Sequence, residues 1–266
     1  MTMFDERDLA AARPAGMEPE EWRLRVQLAA CYRVFHARGW SEEIFNHITV
    51  RVPGPAAHFL INPFGLHYGE VTANNLQKID LQGHPVGARD YPVNRAGFVI
   101  HSAIHAARGD AHCILHTHHT AGVAVSCKEE GLKFNNFYSA FLSGNVAYHA
   151  FEGITVHPGE QDRLVQSLGA SNCLILRNHG LLVTGRSLPE AFYFNYVLQR
   201  ACEVQVLADS MAGANTPIAP QALAVSARDV GLTDPDNDLH AKLFWAAVRR
   251  AGLGLHDLVA PRTGIF

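Results

Sequence analysis

From residue 18 onward the apolar positions fall into periodic stripes. Leu24, Leu28, Cys31 and Phe35 recur at helical spacing, which predicts a helix with one buried face. Glu18-Pro19-Glu20-Glu21 supplies its start, since proline suits the first helical position and acidic groups favour the positive end of the helix dipole. Gly39 supplies the C-terminal cap. The pattern then becomes β-branched. Asn46-His47-Ile48-Thr49-Val50-Arg51-Val52 predicts a strand, Pro53-Gly54-Pro55 a turn, and His58-Phe59-Leu60-Ile61 the second arm of a hairpin. Residues 77–81 give a short third strand. Residues 98–108 give a helix with Ile100, Ile104 and Ala107 on one side.

Cys113-Ile114-Leu115-His116-Thr117-His118-His119 reads as a buried strand that ends in histidines. Successive side chains of a strand take opposite faces, so His116 and His118 share one face. His119 falls on the other, where a packing role is expected. A short helix follows over 120–127, then an ambiguous stretch rich in Gly, Asn and Ser over 128–145, then a helix over 159–169. Apolar strands at 173–176 and 181–184 flank the turn Arg177-Asn178-His179-Gly180. The longest helix starts at Ser187-Leu188-Pro189-Glu190, which has the form of a capping box. Its apolar face is Phe194, Leu198, Ala201 and Val204. A polar, Ala/Pro-rich stretch over 211–235 precedes a last helix over 238–251. Strands and helices are mixed without regular alternation, so helices should flank a mixed or mainly antiparallel sheet. The division expected is an N-terminal loose arm (1–17), a main domain (18–210) and a C-terminal linker and helix (211–266) packing on that domain or on a neighbouring subunit.

Composition narrows the class. The chain has 266 residues, 48% of them hydrophobic and only 18% charged, enough for a substantial core and too few charges for a disordered chain. Its net charge of -3 offers no global basic field for nucleic acid or anionic lipid. The N-terminus has no apolar signal region, and no run is long enough to span a membrane. Five cysteines without C-x-x-C spacing read as buried thiols in a reducing compartment. A cytoplasmic protein is expected.

The 16 histidines change the picture most. His116 and His118, joined by His179, would make a three-imidazole site for Zn, Mn, Fe or Co with open coordination positions. Such a metal polarises a carbonyl or holds an enolate. In a chain this rich in histidine, His-x-His also arises in ordinary strands, and spacing does not bring His179 to the pair.

Further motifs do so by resemblance. They are Asn46-His47-Ile48-Thr49-Val50-Arg51, Pro63-Phe64-Gly65-Leu66 and Asn94-Arg95-Ala96-Gly97-Phe98-Val99-Ile100-His101. His116-Thr117-His118, Leu174-Ile175-Leu176-Arg177-Asn178-His179-Gly180-Leu181, Glu190-Ala191-Phe192-Tyr193 and Ala201-Cys202-Glu203 follow in order. From residue 22 to 210 the chain resembles the class II aldolase/adducin family. The resemblance implies a three-layer α/β/α sandwich around a mixed, mainly antiparallel nine-stranded sheet. It also implies a C4 homotetramer with active sites between subunits, and one divalent metal ion per subunit on His116, His118 and His179.

The departures are informative. Aldolases of the family place a glutamate base nineteen residues before the first ligand histidine, where this chain has Gly97. At the positions of their phosphate pocket stand His47, Phe64, Arg95 and Ala96, with Gly65 retained. A phosphorylated sugar is therefore not expected. Glu70 or Asp90 is a possible substitute base. Decarboxylation needs an electron sink and a held carboxylate, which the metal and Arg95 could supply. The expected activity is a metal-dependent carbon–carbon lyase, foremost a decarboxylase of a small hydroxylated aromatic or heteroaromatic carboxylate. Arg95 and His47 are the candidate catalytic residues; Phe64, Gly65, His67 and Tyr138 are the candidate substrate contacts. The pair His101 and His105, at i and i+4, is expected to pack against the sheet. Three other readings stand beside this one: aldol cleavage of a non-phosphorylated hydroxy acid or aldehyde, a non-haem iron oxygenase, and a non-catalytic interaction domain like that of adducin.

Overall fold

The computed structural model describes residues 3–87, 91–153, 158–231, 233–234 and 238–260. The helical stripe becomes α2 (Pro19–Ala37), with Pro19 in its first turn and Gly39 at φ +69° just past its end. The hairpin is β1 (His47–Val52) on β2 (His58–Ile61), and β3 (Gln77–Ile79) adds to its outer edge. The remaining strands are β4 (Cys113–Thr117), β5 (Val146–His149), β6 (Cys173–Leu176) and β7 (Gly180–Gly185). They form one sheet in the order β3-β2-β1-β4-β7-β6-β5, antiparallel everywhere except between β5 and β6.

Seven strands are present among the described residues, not the nine expected. The connections around 62–76 and 127–145 satisfy their backbone locally, which competes with ladder pairing. Thr72 and Asn75 exchange side-chain bonds with each other's N–H groups, and Asn136 caps the short helix α5 (Phe137–Phe141). The loop past β3 adds only an isolated bridge between Ile79 and Pro85.

Helices cover both faces of the sheet. On one, α2 and α7 (Leu188–Ser210) bury Val50, Leu115, Ile175 and Val183 with the main core. On the other, α3 (Arg95–Ala107) and α6 (Gln161–Leu168) bury Ile114, Leu174 and Leu182 through Ile100, Ile104, Leu164 and Leu168. The alternation along β4 places His116 on the same face as Ile114, toward α3. Along β1, His47 and Thr49 face that way as well.

Several expectations are corrected. The stretch 1–17 contains α1 (Glu6–Ala12), tied down by buried Leu9, whose carbonyl accepts the Trp22 indole N–H at 2.8 Å. The polar stretch 211–235 contains α8 (Pro220–Val230), which packs on α5. Ser187 caps α7, yet Glu190 bonds the N–H and guanidinium of Arg186 instead of completing the box at Ser187. The helix expected over 238–251 is α9 (Leu239–Arg250), which packs on α7 and α2, and a further helix, α10 (Leu255–Val259), follows it against α2. Four cysteines are buried; Cys127 is exposed. No helix among the described residues is long and apolar enough to cross a membrane.

The fully buried Tyr32 pins α2 to β1. Its hydroxyl donates to the Ile48 carbonyl at 2.7 Å and accepts the Ile48 N–H at 3.0 Å and the Asn62 N–H at 3.2 Å. Tyr32→Phe leaves two buried backbone donors without this partner. We expect a loss of about 1–3 kcal/mol, measured as a lower urea midpoint at an unchanged m-value.

Candidate metal centre and its cavity

β4 ends at Thr117, and the chain bends so that His118 leaves the ladder while keeping its place above His116. Asn46 fixes that bend: its carbonyl oxygen accepts the His118 N–H at 2.8 Å, and its amide donates to the Trp40 carbonyl at 3.1 Å. His119 opens the helix α4 (Thr120–Ser126) and packs edge-on against Trp40, away from the pair. His179 arrives from the β6–β7 turn. Asn178 there takes the left-handed conformation at φ +57°, which asparagine tolerates better than most residues. Gly180 follows because a Cβ would lie 2.5 Å from the Thr117 carbonyl.

The three imidazoles converge. Their ligand-capable nitrogens lie within 4.8 Å of one another. The His116 ring centroid is 4.4 Å from that of His118 and 4.8 Å from that of His179. His116 Nδ1–H donates to the Leu181 carbonyl at 2.9 Å, so the neutral ring keeps its lone pair on Nε2. This is how metal-binding histidines are commonly oriented. That atom lies 3.3 Å from His179 Nε2. Two nitrogens bound tetrahedrally at about 2.0–2.1 Å would stand about 3.3–3.4 Å apart. His118 Nδ1 is buried with no hydrogen-bond partner. Burial, reinforced by neighbouring histidines, holds His116 well below the usual histidine range and His118 at about 4. Burial lowers His179 too, with Glu160 opposing. Neutral nitrogen donors at this spacing fit a divalent cation.

A cavity of about 390 Å³ opens onto these rings. His47, Asn94, Gly97, Ile100 and Phe64 line it beside the histidines, with the exposed Phe45 and Phe151. Among the described lining residues none carries a carboxylate. Gly97 and His47 are complementary in space: a Cβ on Gly97 would lie 2.3 Å from His47 Nε2. The imidazole fills the room that a longer residue at 97 would need. His47 is buried, and its ring centroid lies 4.9 Å from that of His116.

Other candidates fall elsewhere. Arg95 opens α3, but its side chain and all of Asp90 lie outside the described residues. Glu70 accepts the His67 N–H at 2.7 Å, and His67 Nδ1 accepts the Gly69 N–H, so both cap a short 3-10 turn over 68–70. Neither lines the histidine cavity. Tyr138, on α5, packs against Tyr196 of α7, beneath Arg200, and is also absent from the lining. Gly65 takes φ +100° in the turn after Phe64. Asn46, Phe45 and Phe151 were not singled out from sequence. Asn46 stands within a quoted motif, whereas two phenylalanines on separate loops give no pattern.

The chain's segment 26–206 matches the model of the class II aldolase and adducin N-terminal domain. It is 45% identical over 244 residues to the Pseudomonas aeruginosa protein named "Putative aldolase class 2 protein", covering 91% of this chain and 93% of that one. Over 209 residues it is 48% identical to alpha-adducin of Rattus norvegicus, covering 77% of this chain but 28% of adducin. A crystal structure of an aldolase II superfamily protein from Pseudomonas syringae superposes with a TM-score of 0.83 at 41% identity, covering 88% of this chain and 94% of that one.

Two predictions test this geometry. Gly97→Ala should cost about 1–3 kcal/mol by overpacking against His47. In a His47→Ala background the same change should be neutral or gain up to about 1 kcal/mol, as expected for Ala over Gly in a helix; a double-mutant cycle measures the difference. The second concerns acid. Burial lowers His105, on α3, to about 3 and His101 well below its usual range. The unfolded chain then binds more protons below about pH 6.5, so stability is complete above that value and falls as pH drops toward about 3. At about 1.4 kcal/mol per pH unit, His105 alone implies a loss of about 2 kcal/mol by pH 5. Urea titrations across that window would show a flat profile only if these rings were solvated or already charged.

Proposed function

The chain belongs to the class II aldolase and adducin N-terminal domain family, and from that premise we propose that it is a metal-dependent carbon–carbon lyase of non-phosphorylated substrates. The observation that carries this reading is the cavity wall: three neutral histidines at a ligand spacing beside three phenylalanines, with no carboxylate among the described lining residues. His116, His118 and His179 would hold the cation. When bound, it supplies a Lewis acid that accepts the electron pair left on carbon.

The reaction we favour is decarboxylation of a small hydroxylated aromatic or heteroaromatic carboxylate. The bond from ring carbon to carboxylate breaks, carbon dioxide departs, and the carbon that keeps the electron pair takes up a proton. Phe45, Phe64 and Phe151 give the ring an apolar slot and limit water around it. A wall without carboxylates does not repel the substrate's own. Arg95 remains our choice for its carboxylate on charge alone. His47 beside Gly97 favours a second reading, retro-aldol cleavage of a non-phosphorylated hydroxy compound, with the imidazole accepting the hydroxyl proton in place of a glutamate.

Metal analysis of untagged protein, followed by assay against hydroxybenzoates and pyridine carboxylates, tests these readings. We expect about one divalent ion per chain and metal-dependent release of carbon dioxide. Loss of a metal ligand, in His116→Ala, should lower turnover by about 10³-fold or more. Aldehyde or ketone products without carbon dioxide would install the retro-aldol reading. Iron content with substrate-dependent oxygen uptake would point to an oxygenase. A metal-free protein whose behaviour is unchanged by His116→Ala would place the chain with adducin's non-enzymatic domain.

A further inference from the structure

Behind the His47 wall runs a buried chain of hydrogen bonds, and its direction can be worked out from one end. His105 Nδ1 lies 2.8 Å from the Ala111 carbonyl, which can only accept, so Nδ1 carries the proton. His105, His101 and His47 are buried, and the partners within hydrogen-bond distance of them are imidazoles, a hydroxyl and a carbonyl rather than carboxylates, so each ring is taken as neutral. A neutral imidazole has one donor nitrogen and one acceptor. His105 Nε2 is therefore an acceptor, and the Thr49 hydroxyl, 2.8 Å away, donates to it. The Thr49 oxygen is then left to accept, and takes the N–H of His101 Nδ1 at 2.7 Å. His101 Nε2 becomes an acceptor in turn and receives His47 Nδ1–H at 2.9 Å. That leaves His47 Nε2 with a bare lone pair. It is the atom nearest the Cβ direction of Gly97, and both residues line the cavity.

We propose that the chain Ala111–His105–Thr49–His101 locks His47 into one tautomer, presenting Nε2 to the cavity as a hydrogen-bond acceptor, and that the site thereby selects molecules carrying a hydroxyl beside their metal-binding oxygen. His101, Thr49 and His105 are positioning residues. The four groups are buried, so water does not compete for these bonds. The rings of His47 and His116 are neighbours, so the hydroxyl that His47 reads lies within one or two bonds of the group held by the three histidines. Ortho-hydroxy aromatic acids and 2-hydroxy acids have that arrangement. The choice of substrate class rests on the lyase reading; the tautomer does not.

Nitrogen NMR of full-length protein labelled with ¹⁵N-histidine, recorded with and without zinc, reads the tautomer directly. We expect His47 to be protonated on Nδ1 and bare on Nε2 in the wild type and in Thr49→Ser, which keeps the hydroxyl. Thr49→Val removes the hydroxyl at nearly constant shape and should give His47 mixed tautomers. Should that variant not fold, Thr49→Ala replaces it, and the wild-type spectrum still decides the assignment. His47 protonated on Nε2 in the wild type, or an unchanged pattern in the folded valine variant, overturns the proposal. Binding of 2-hydroxybenzoate and 2-methoxybenzoate to zinc-loaded protein reads the selection. The hydroxy acid should bind about tenfold tighter or more, and the ratio should shrink toward one in Thr49→Val. Equal affinities in the wild type overturn the selection. If no compound releases carbon dioxide or is cleaved to an aldehyde or ketone, the lyase reading fails while the tautomer stands.

Discussion

The antiparallel register of β1 on β4 sets His47 opposite His116, Thr49 opposite Ile114 and Val50 opposite Cys113. A slip of one residue would turn every side chain of one strand to the other face. His47 and Thr49 would then enter the α2 side, where Val50 and Leu115 make the main core, and the polar chain to His101 and His105 would have no partners. The pairing of β4 with β7 carries the constraint across to Leu181 and Leu182 and so to the turn that brings His179. Burial on both faces makes this register costly to change, since apolar residues would lose their cores on both sides at once.

Charge follows from the same burial. Three converging imidazoles, with a fourth behind them, could not all be protonated so close together. Removal from water already favours the neutral form, and each neighbour adds to the effect. Neutral imidazoles are what both a cation and a directional hydrogen-bonded chain require. The sheet thus gathers two sets of histidines: converging ligand-capable nitrogens at His116, His118 and His179, and a hydrogen-bonded run behind His47.

Gly97 leaves the room that the His47 ring occupies. The space is shared, so the two positions cannot be read separately. The aromatic residues that line the cavity come from the loops before β1, after β2 and after β5, held by the same sheet. Loops that meet over a rigid strand end can change what the cavity admits while the convergent histidines stay in place.

By itself the sequence determined the periodic elements. The stripe of α2, the β1–β2 hairpin and the apolar runs of β4, β6 and β7 were legible because each is a local pattern of burial. So were His116 and His118 on one face, and Asn178-Gly180 as a turn. Segments with weak patterns were not: α1, α8 and β5 owe their places to packing partners elsewhere in the chain, and the described residues form seven strands where loop side chains bond their own backbone. Tertiary structure alone decided what meets what. His179 was joined to the pair in sequence only by the family resemblance, and the structure brings the three rings together; that Tyr138 lies elsewhere and that His47 fills the room above Gly97 are set by contacts between residues distant in sequence. Periodicity records which face a side chain takes; only the register and the layering of helices on the sheet fix its neighbour on that face.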